Sequence, residues 1–81
     1  MTNEQMRPNR YGQWAEARRT VRDIQHALRT GHTVVIATHL KARQYSTPEC
    51  ADMFYATRTG AFVQRGTKRT CIDYCSIRFY A

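Results

Sequence analysis

One apolar stripe in the first third of the chain constrains the fold more than any other feature. From about residue 11, apolar residues recur at spacings of three and four, at Trp14, Ala17, Val21, Ile24 and Leu28. This spacing places them on one side of an α-helix. Gly31 follows the stripe, and glycine accepts the left-handed conformation that ends many helices. The sequence therefore predicts an amphipathic helix that ends at about Thr30 and buries one side.

Short apolar and aromatic runs in the second half of the chain predict antiparallel strands separated by turns. We expect a three-residue hairpin loop, Arg58-Thr59-Gly60, with the glycine in its left-handed position. That loop would place Met53, Tyr55, Val63 and Arg65 on one face, and Phe54, Ala56 and Phe62 on the other. The next reversal is predicted at Arg65-Gly66-Thr67-Lys68. In the last strand, from about Arg69 to Tyr80, the apolar residues change from one face of the strand to the other near Asp73 to Cys75. This change predicts a bulge or break there.

Residues 33–44 are rich in β-branched side chains and predict a long first strand. Its alternation would turn Val34, Ile36, Leu40 and Ala42 towards the helix, and His39, Lys41, Arg43 and Tyr45 to the other side. Thr47 and Pro48 then match the N-cap and first position of a short helical turn.

The order of these elements predicts an α+β fold, with an N-terminal helix packed on one face of a three- to four-stranded antiparallel sheet. Residues 1–10 are polar and lack periodicity, so we expect a flexible N-terminal arm. Residues 11–81 would form a single domain. A domain this small buries only about 60% of its unfolded surface, which favours stabilisation by a partner.

The charge balance favours acidic partners. Thirteen Lys and Arg against six Asp and Glu give a net charge of +7. The sequence lacks the apolar run of a signal peptide and the roughly 20 apolar residues that span a bilayer, so we expect no membrane association and a cytoplasmic location. Cys50, Cys71 and Cys75 are too few for a disulfide scaffold, which agrees with a reducing compartment.

The face of the sheet that the helix leaves open is the predicted binding surface. Basic residues interleaved with aromatic ones suit single-stranded nucleic acid, and Tyr and Arg equally suit a protein interface. The predicted site consists of His39, Lys41, Arg43, Tyr45, Tyr55, Arg65, Arg78 and Tyr80. A secondary basic surface on the outer side of the helix consists of Arg18, Arg19, Arg22 and Arg29.

Neither catalysis nor a bound metal or cofactor is predicted. Cys71 and Cys75 are four residues apart, and Cys50, His32 and His39 could complete a ligand set, but structural zinc sites need two closely spaced ligand pairs. Buried, apolar cysteines are the simpler interpretation. No spacing holds a nucleophile beside its base.

The block 60–69, with Cys71-Ile72 and Ile77-Arg78-Phe79, resembles the C-terminal block of small accessory proteins of bacteriophages and prophages. The chain's size and its lack of catalytic motifs also resemble phage anti-defence proteins, including anti-CRISPR inhibitors. This resemblance implies stoichiometric binding to a host protein or nucleoprotein complex in the cytoplasm of the bacterial host. The surface would then block an active or nucleic-acid-binding site.

Two functions follow as hypotheses. The leading one is a non-enzymatic inhibitor that occludes a host defence protein or nucleoprotein complex. The alternative is a module that binds DNA or RNA directly through its basic and aromatic sheet face. A homodimer is left open in both.

Overall fold

A computed structural model describes residues 10–81 of the chain, with side chains from residue 14. The predicted arm over residues 1–10 lies outside this range, apart from Arg10, which begins the helix. The elements in chain order are helix α1 (Arg10–Arg29), strands β1 (Thr33–Ala37) and β2 (Ala42–Tyr45), a 3-10 helix (Pro48–Met53), and strands β3 (Phe54–Thr57), β4 (Gly60–Arg65), β5 (Lys68–Cys71) and β6 (Ser76–Tyr80).

The helix forms as its periodicity predicts. Ala17, Val21, Ile24 and Leu28 are buried, and Ile24 is 0% exposed. Gly31 adopts a φ of 91° and ends the helix. Here the His32 N–H donates to the Ala27 carbonyl at 2.9 Å and the Gly31 N–H donates to the Leu28 carbonyl at 3.2 Å. These two bonds form a Schellman motif, so the predicted stop at about Thr30 is confirmed.

The predicted α+β class is confirmed, and its strands form two three-stranded antiparallel sheets where a single sheet was expected. Sheet 1 has the order β2-β1-β6, and sheet 2 has the order β3-β4-β5. The predicted break near Asp73 to Cys75 is confirmed and separates the sheets. There the Cys75 N–H donates to the Ile72 carbonyl at 3.2 Å, in a tight turn that carries the chain from sheet 2 to sheet 1.

The long first strand is wrong, because a tight turn divides it into β1 and β2. The Thr38 hydroxyl accepts hydrogen bonds from the N–H groups of Leu40 at 3.1 Å and Lys41 at 3.2 Å. The Thr38 N–H also donates to the Lys41 carbonyl at 2.8 Å. Leu40, which was expected to face the helix, therefore sits in the turn and is 80% exposed.

The predicted three-residue loop between β3 and β4 is also wrong. Thr57 pairs with Gly60, so the turn has two residues and the register shifts by one. As a result, Phe54 lies opposite Val63 and Tyr55 lies opposite Phe62. The expected grouping of Tyr55 with Val63 and Arg65 is therefore wrong, because a shift of one residue exchanges the faces. The reversal between Arg65 and Lys68 is confirmed.

Gly60 is required by its surroundings. Its φ is +143°, and a Cβ atom there would run into the Asp73 carboxylate. That carboxylate accepts a hydrogen bond from the Ala61 N–H at 2.9 Å. The start of β4 is thus tied to the turn that ends sheet 2.

The core lies where the inner faces of both sheets meet the buried side of α1. Tyr45 of sheet 1 contacts Phe54 of sheet 2 edge to face, with ring centroids 5.1 Å apart. Gln25 of α1 donates hydrogen bonds to the carbonyls of Ala51 and Phe54, both at 3.1 Å. These bonds fix the helix against the 3-10 helix and β3. We call this region the helix-covered core, which consists of Ala17, Val21, Ile24, Leu28, Val34, Ala51, Phe54 and Ala61.

The predicted short helical turn is confirmed as the 3-10 helix, with Pro48 at its start. Thr47 is the N-cap residue, as predicted, although its side chain forms no capping hydrogen bond. The Thr47 hydroxyl instead lies 3.2 Å from the Cys50 thiol. Within residues 10–81, no helix is both long and apolar enough to span a membrane.

Candidate functional site

A basic cleft opens between the inner faces of the two sheets. Its volume is about 110 Å³. Ile36, Val63 and Ile72 give it an apolar lining, and four cationic side chains surround them. The whole lining consists of Ile36, Thr38, Lys41, Arg43 and Tyr45 of the β1–β2 hairpin, Val63, Arg65, Lys68, Thr70 and Ile72 of sheet 2 and its exit, and Cys75 of the connecting turn.

Strand register explains the wall contributed by sheet 1. Ile36 lies opposite Arg43, and Val34 lies opposite Tyr45. Directly paired residues share a face, so Arg43 and Tyr45 point to the same inner side as the apolar residues of β1. The tight turn from Thr38 to Lys41 also brings Lys41 to this side. Lys41, Arg43 and Tyr45 were predicted on the opposite side, because the prediction of one continuous strand did not include the turn at Thr38.

The wall contributed by sheet 2 follows from the β4–β5 hairpin. Its two-residue turn pairs Arg65 with Lys68, and Val63 with Thr70. Alternation along β4 then changes from buried to exposed, since Val63 is 4% exposed whereas Arg65 is exposed. The same face of one strand therefore contributes first to the core and then to the cleft.

The charges in the cleft are unbalanced. In the described part of the chain, no Asp or Glu lines the cleft, and none lies within 4.0 Å of Lys41, Arg43, Arg65 or Lys68. Arg65 and Lys68 are direct cross-strand neighbours, an arrangement that destabilises a hairpin when both charges have the same sign. Four unpaired cations around one concavity attract an anion.

Tyr45 adds a hydrogen-bonding group to the cleft. The residue is only 6% exposed, and it forms part of the cleft lining. The pKa of Tyr45 is raised above its ordinary value of 10.0, because the effect of burial exceeds the opposing effect of the positive charges of Arg65 and Arg43. The hydroxyl is therefore protonated at neutral pH and can donate a hydrogen bond to an anion.

The expectation that eight predicted site residues lie on one face is wrong. Four of them converge on the cleft: Lys41, Arg43, Tyr45 and Arg65. The other four lie elsewhere, because the two turns reverse the expected faces. His39 is in the exposed turn between β1 and β2, Tyr55 is on the outer face of sheet 2, and Arg78 and Tyr80 are on the outer face of sheet 1.

Lys68, Thr38 and Thr70 line the cleft but were not predicted as site residues. For Lys68 the signal was present, since a reversal from Arg65 to Lys68 with two intervening residues pairs those side chains on one face. Thr70 follows two residues later on that face. Thr38 could have been found as a hydroxyl that binds the backbone two and three residues ahead, as in turns started by Ser or Thr.

The outer face of sheet 2 carries a separate aromatic group. The rings of Tyr55 and Phe62 stack with centroids 5.7 Å apart, and the Arg69 guanidinium lies 4.9 Å from the Phe62 centroid. This group faces away from the cleft, so substitutions of its residues can serve as controls for substitutions in the cleft.

The four arginines of the predicted secondary basic surface on the helix are all exposed. Arg18 lies 5.2 Å from the centroid of the Trp14 ring, with Arg58 5.9 Å from the same ring. Arg29 forms an ion pair with Asp52 at 3.6 Å. Arg19 and Arg22 extend into solvent. A binding role for this surface stays a prediction.

The interpretation of all three cysteines as buried is wrong for Cys71, which is exposed. Cys50 and Cys75 are half-buried and pack against the core. Burial, followed by the neighbouring Cys71 and Asp73, raises the pKa of the Cys75 thiol, so it is a poor nucleophile at neutral pH. No three His, Cys, Asp or Glu side chains gather into a metal-binding group in the part of the chain that the structure describes.

Comparisons with known proteins give no relative from which a role could be transferred. No protein-family model matches the chain, and searches of curated proteins and of solved structures found no match. The resemblance to phage accessory proteins stays a prediction.

Proposed function

We propose that the chain is a non-catalytic module that binds nucleic acid through the basic cleft. The observation that carries this proposal is the convergence of Lys41, Arg43, Arg65 and Lys68 on a cleft without an acidic side chain among the described residues. Lys and Arg that neutralise phosphates supply most of the affinity of such proteins.

Single-stranded DNA or RNA fits this cleft better than a duplex. The cleft is small and concave, and its cationic residues come from both walls. A duplex presents its phosphates on a broad convex surface, whereas a single strand can turn one phosphate inwards. The aromatic pair Tyr55 and Phe62 lies on another face, so bases would leave the cleft rather than stack inside it.

The test is the binding of a fluorescent single-stranded oligonucleotide, measured by anisotropy over a range of salt concentrations. Each neutralised phosphate contributes a slope of about −0.7 to log K against log salt. We expect an overall slope between about −0.7 and −1.4, because one or two phosphates fit the cleft.

A matched pair of variants locates the binding. Lys68→Gln removes a cation from the cleft, and Arg69→Gln removes the neighbouring cation from the opposite face of the same strand. Lys68→Gln should reduce the magnitude of the slope by up to about 0.7, and Arg69→Gln should leave it nearly unchanged. Equal effects of the two substitutions, or no binding at low salt, would contradict the proposal.

A second candidate is the phage-encoded inhibitor of a host defence protein or nucleoprotein complex, acting in the host cytoplasm. The observation that favours it is strand β6, which pairs only with β1 in the described fold and carries Phe79 at 47% and Tyr80 at 50% exposure. Exposed aromatic residues on an open sheet edge suit a protein partner, which could also be a second copy of the chain.

Capture of host partners with and without nuclease separates the two candidates. A direct nucleic-acid binder should lose its partners after nuclease treatment and after Lys68→Gln. An inhibitor of a host protein should retain its partner after nuclease and lose it after Tyr80→Ala. Light scattering of the purified chain tests whether a second copy occupies the edge.

A further inference from the structure

We infer that the basic cleft selects a phosphate group with at least two negative charges, as found at a phosphorylated strand end or on a free nucleotide. Tyr45 would be the uncharged donor that completes the site. This inference rests on the proposed function and names the chemical group that the cleft recognises.

The number of cations argues for clustered negative charge. Lys41 and Arg43 project from one wall, and Arg65 and Lys68 project from the other. An internal phosphodiester supplies a single charge to such a site. A terminal phosphate carries about −1.5 to −2 at neutral pH, and a diphosphate carries more. Only a terminal phosphate or a diphosphate has a negative charge comparable in size to the positive charge around the cleft.

The size of the cleft argues for recognition of the phosphate rather than of the base. Pockets that enclose drug-sized ligands have volumes of about 300–1,000 Å³, whereas this cleft has about 110 Å³. One or two phosphoryl groups fit such a volume, and the sugar and base remain outside. The apolar Ile36, Val63 and Ile72 in the lining limit the competing contacts with water.

Tyr45 gives the site a fixed donor. Its ring is held edge to face against Phe54, and the residue lines the cleft beside Arg43 and Arg65. A terminal phosphate presents three strong acceptor oxygens, more than an internal diester leaves free. It can therefore bind both cationic walls and the Tyr45 hydroxyl at the same time.

The first experiment compares oligonucleotides of one sequence with a 5′-hydroxyl, a 5′-phosphate, a 5′-triphosphate or a 3′-phosphate end. Binding is measured at a constant ionic strength of about 0.15 M, so that overall screening is equal. We expect the phosphorylated ends to bind at least about tenfold more tightly than the hydroxyl end, as charge-assisted hydrogen bonds would provide. Competition by a nucleoside diphosphate and by inorganic diphosphate distinguishes a strand end from a free nucleotide.

Two variants assign the selectivity to the cleft. Tyr45→Phe keeps the ring and its contact with Phe54 but removes the hydroxyl, so the preference for phosphorylated ends should fall severalfold. Tyr55→Phe removes a hydroxyl from the outer face of sheet 2 and should leave the preference unchanged. Thermal midpoints show that both variants are folded.

The pH dependence provides a second readout. A terminal phosphate gains its second charge near pH 6, so its binding should strengthen between pH 5 and pH 7. The titratable groups that face this anion are Lys41, Arg43, Tyr45, Arg65, Lys68 and Cys75. A hydroxyl end carries no terminal phosphate that could gain a second charge. An oligonucleotide with hydroxyl ends should therefore show no comparable change.

The outcomes separate the inference from the proposed function. Equal binding of hydroxyl and phosphorylated ends would overturn the inference and leave nucleic-acid binding intact. If the nucleoside diphosphate binds and no oligonucleotide does, the inference is supported and the nucleic-acid function is overturned. Failure of every ligand to bind would overturn both.

Discussion

The helix-covered core and the basic cleft occupy two parts of the same space between the sheets, yet they differ in chemistry. In the core, the inner faces contribute Val34, Phe54 and Ala61, which α1 covers. In the cleft, the same inner faces contribute Arg43 on β2 and Arg65 on β4, and both are exposed. The change occurs within single strands, two residues after Val63 on β4.

This difference shows how a small domain can carry a charged site inside its fold. The apolar core continues from under the helix to the floor of the cleft, where Ile36, Val63 and Ile72 belong to the same buried cluster. Beyond this cluster, inward-facing positions are free of packing requirements and hold cations instead. Like charges facing each other there oppose folding, which favours a role in binding over a role in stability.

The largest expected effect is in the helix-covered core. Ile24→Ala should lower the free energy of unfolding by about 2–5 kcal/mol, because Ile24 is fully buried and its truncation leaves a cavity. Urea denaturation measures this change. Arg22→Ala on the exposed side of the helix is the control, with an expected change within about 0.5 kcal/mol. A small effect of Ile24→Ala would mean that the helix does not cover this core.

The next effect concerns the edge of the core at Gly60. Gly60→Ala should cost about 1–3 kcal/mol, since its φ is positive and the new Cβ would displace the Asp73 carboxylate. Gly66→Ala, also at positive φ but with open space around the Cβ, should cost less. In an Asp73→Ala background the Gly60 penalty should shrink. Equal penalties at both glycines would show that Asp73 is not held against β4.

Tyr45 joins the two regions, and its ionisation should weaken the fold at alkaline pH. Its pKa is raised above 10.0 mainly by burial, so the folded state favours the protonated phenol. The resulting stability is present below pH 10 and is lost as the pH rises through the folded pKa. The raised pKa of the Cys75 thiol, above 9.0, acts in the same direction. Denaturation between pH 7 and 11 should show a decline that Tyr45→Phe makes less steep and Tyr55→Phe does not.

The smallest expected effect on stability belongs to the cleft itself. Arg43→Glu combined with Arg65→Glu should change the free energy of unfolding by under about 0.5 kcal/mol, since both residues are exposed. The same pair should weaken oligonucleotide binding at least about tenfold, because two of four attractive charges are reversed. Arg22→Glu with Arg78→Glu changes the net charge equally outside the cleft. Unfolding by the cleft pair would show that the two arginines are structural.

The sequence predicts the parts of this fold that local chemistry determines. The stripe from Ala17 to Leu28 and the glycine after it specify α1, and the parity change near Asp73 specifies the break between β5 and β6. Both signals come from neighbouring residues, so no knowledge of distant contacts is needed.

The cleft was only half predictable, because two turns lack the usual sequence signals. Thr38 to Lys41 contains no Gly, Pro, Asn or Asp, and only the Thr38 hydroxyl marks the turn. Gly60 suggested a three-residue loop, but its contact with Asp73 from another part of the chain accounts for the glycine. The missed turn at Thr38 placed Tyr45 on the wrong face, and a loop predicted one residue too long placed Tyr55 on the wrong face.

The crossing from β5 to β6 implies an order of assembly. Sheet 2 consists of three consecutive strands joined by two-residue turns, so its closure costs little chain entropy. Sheet 1 pairs Thr33 with Tyr80 and Ala37 with Ser76, and the whole of sheet 2 lies between these partners in the chain. Long-range pairing of this kind slows folding. In pulsed hydrogen exchange during refolding, amides of β4 should therefore gain protection before those of β6.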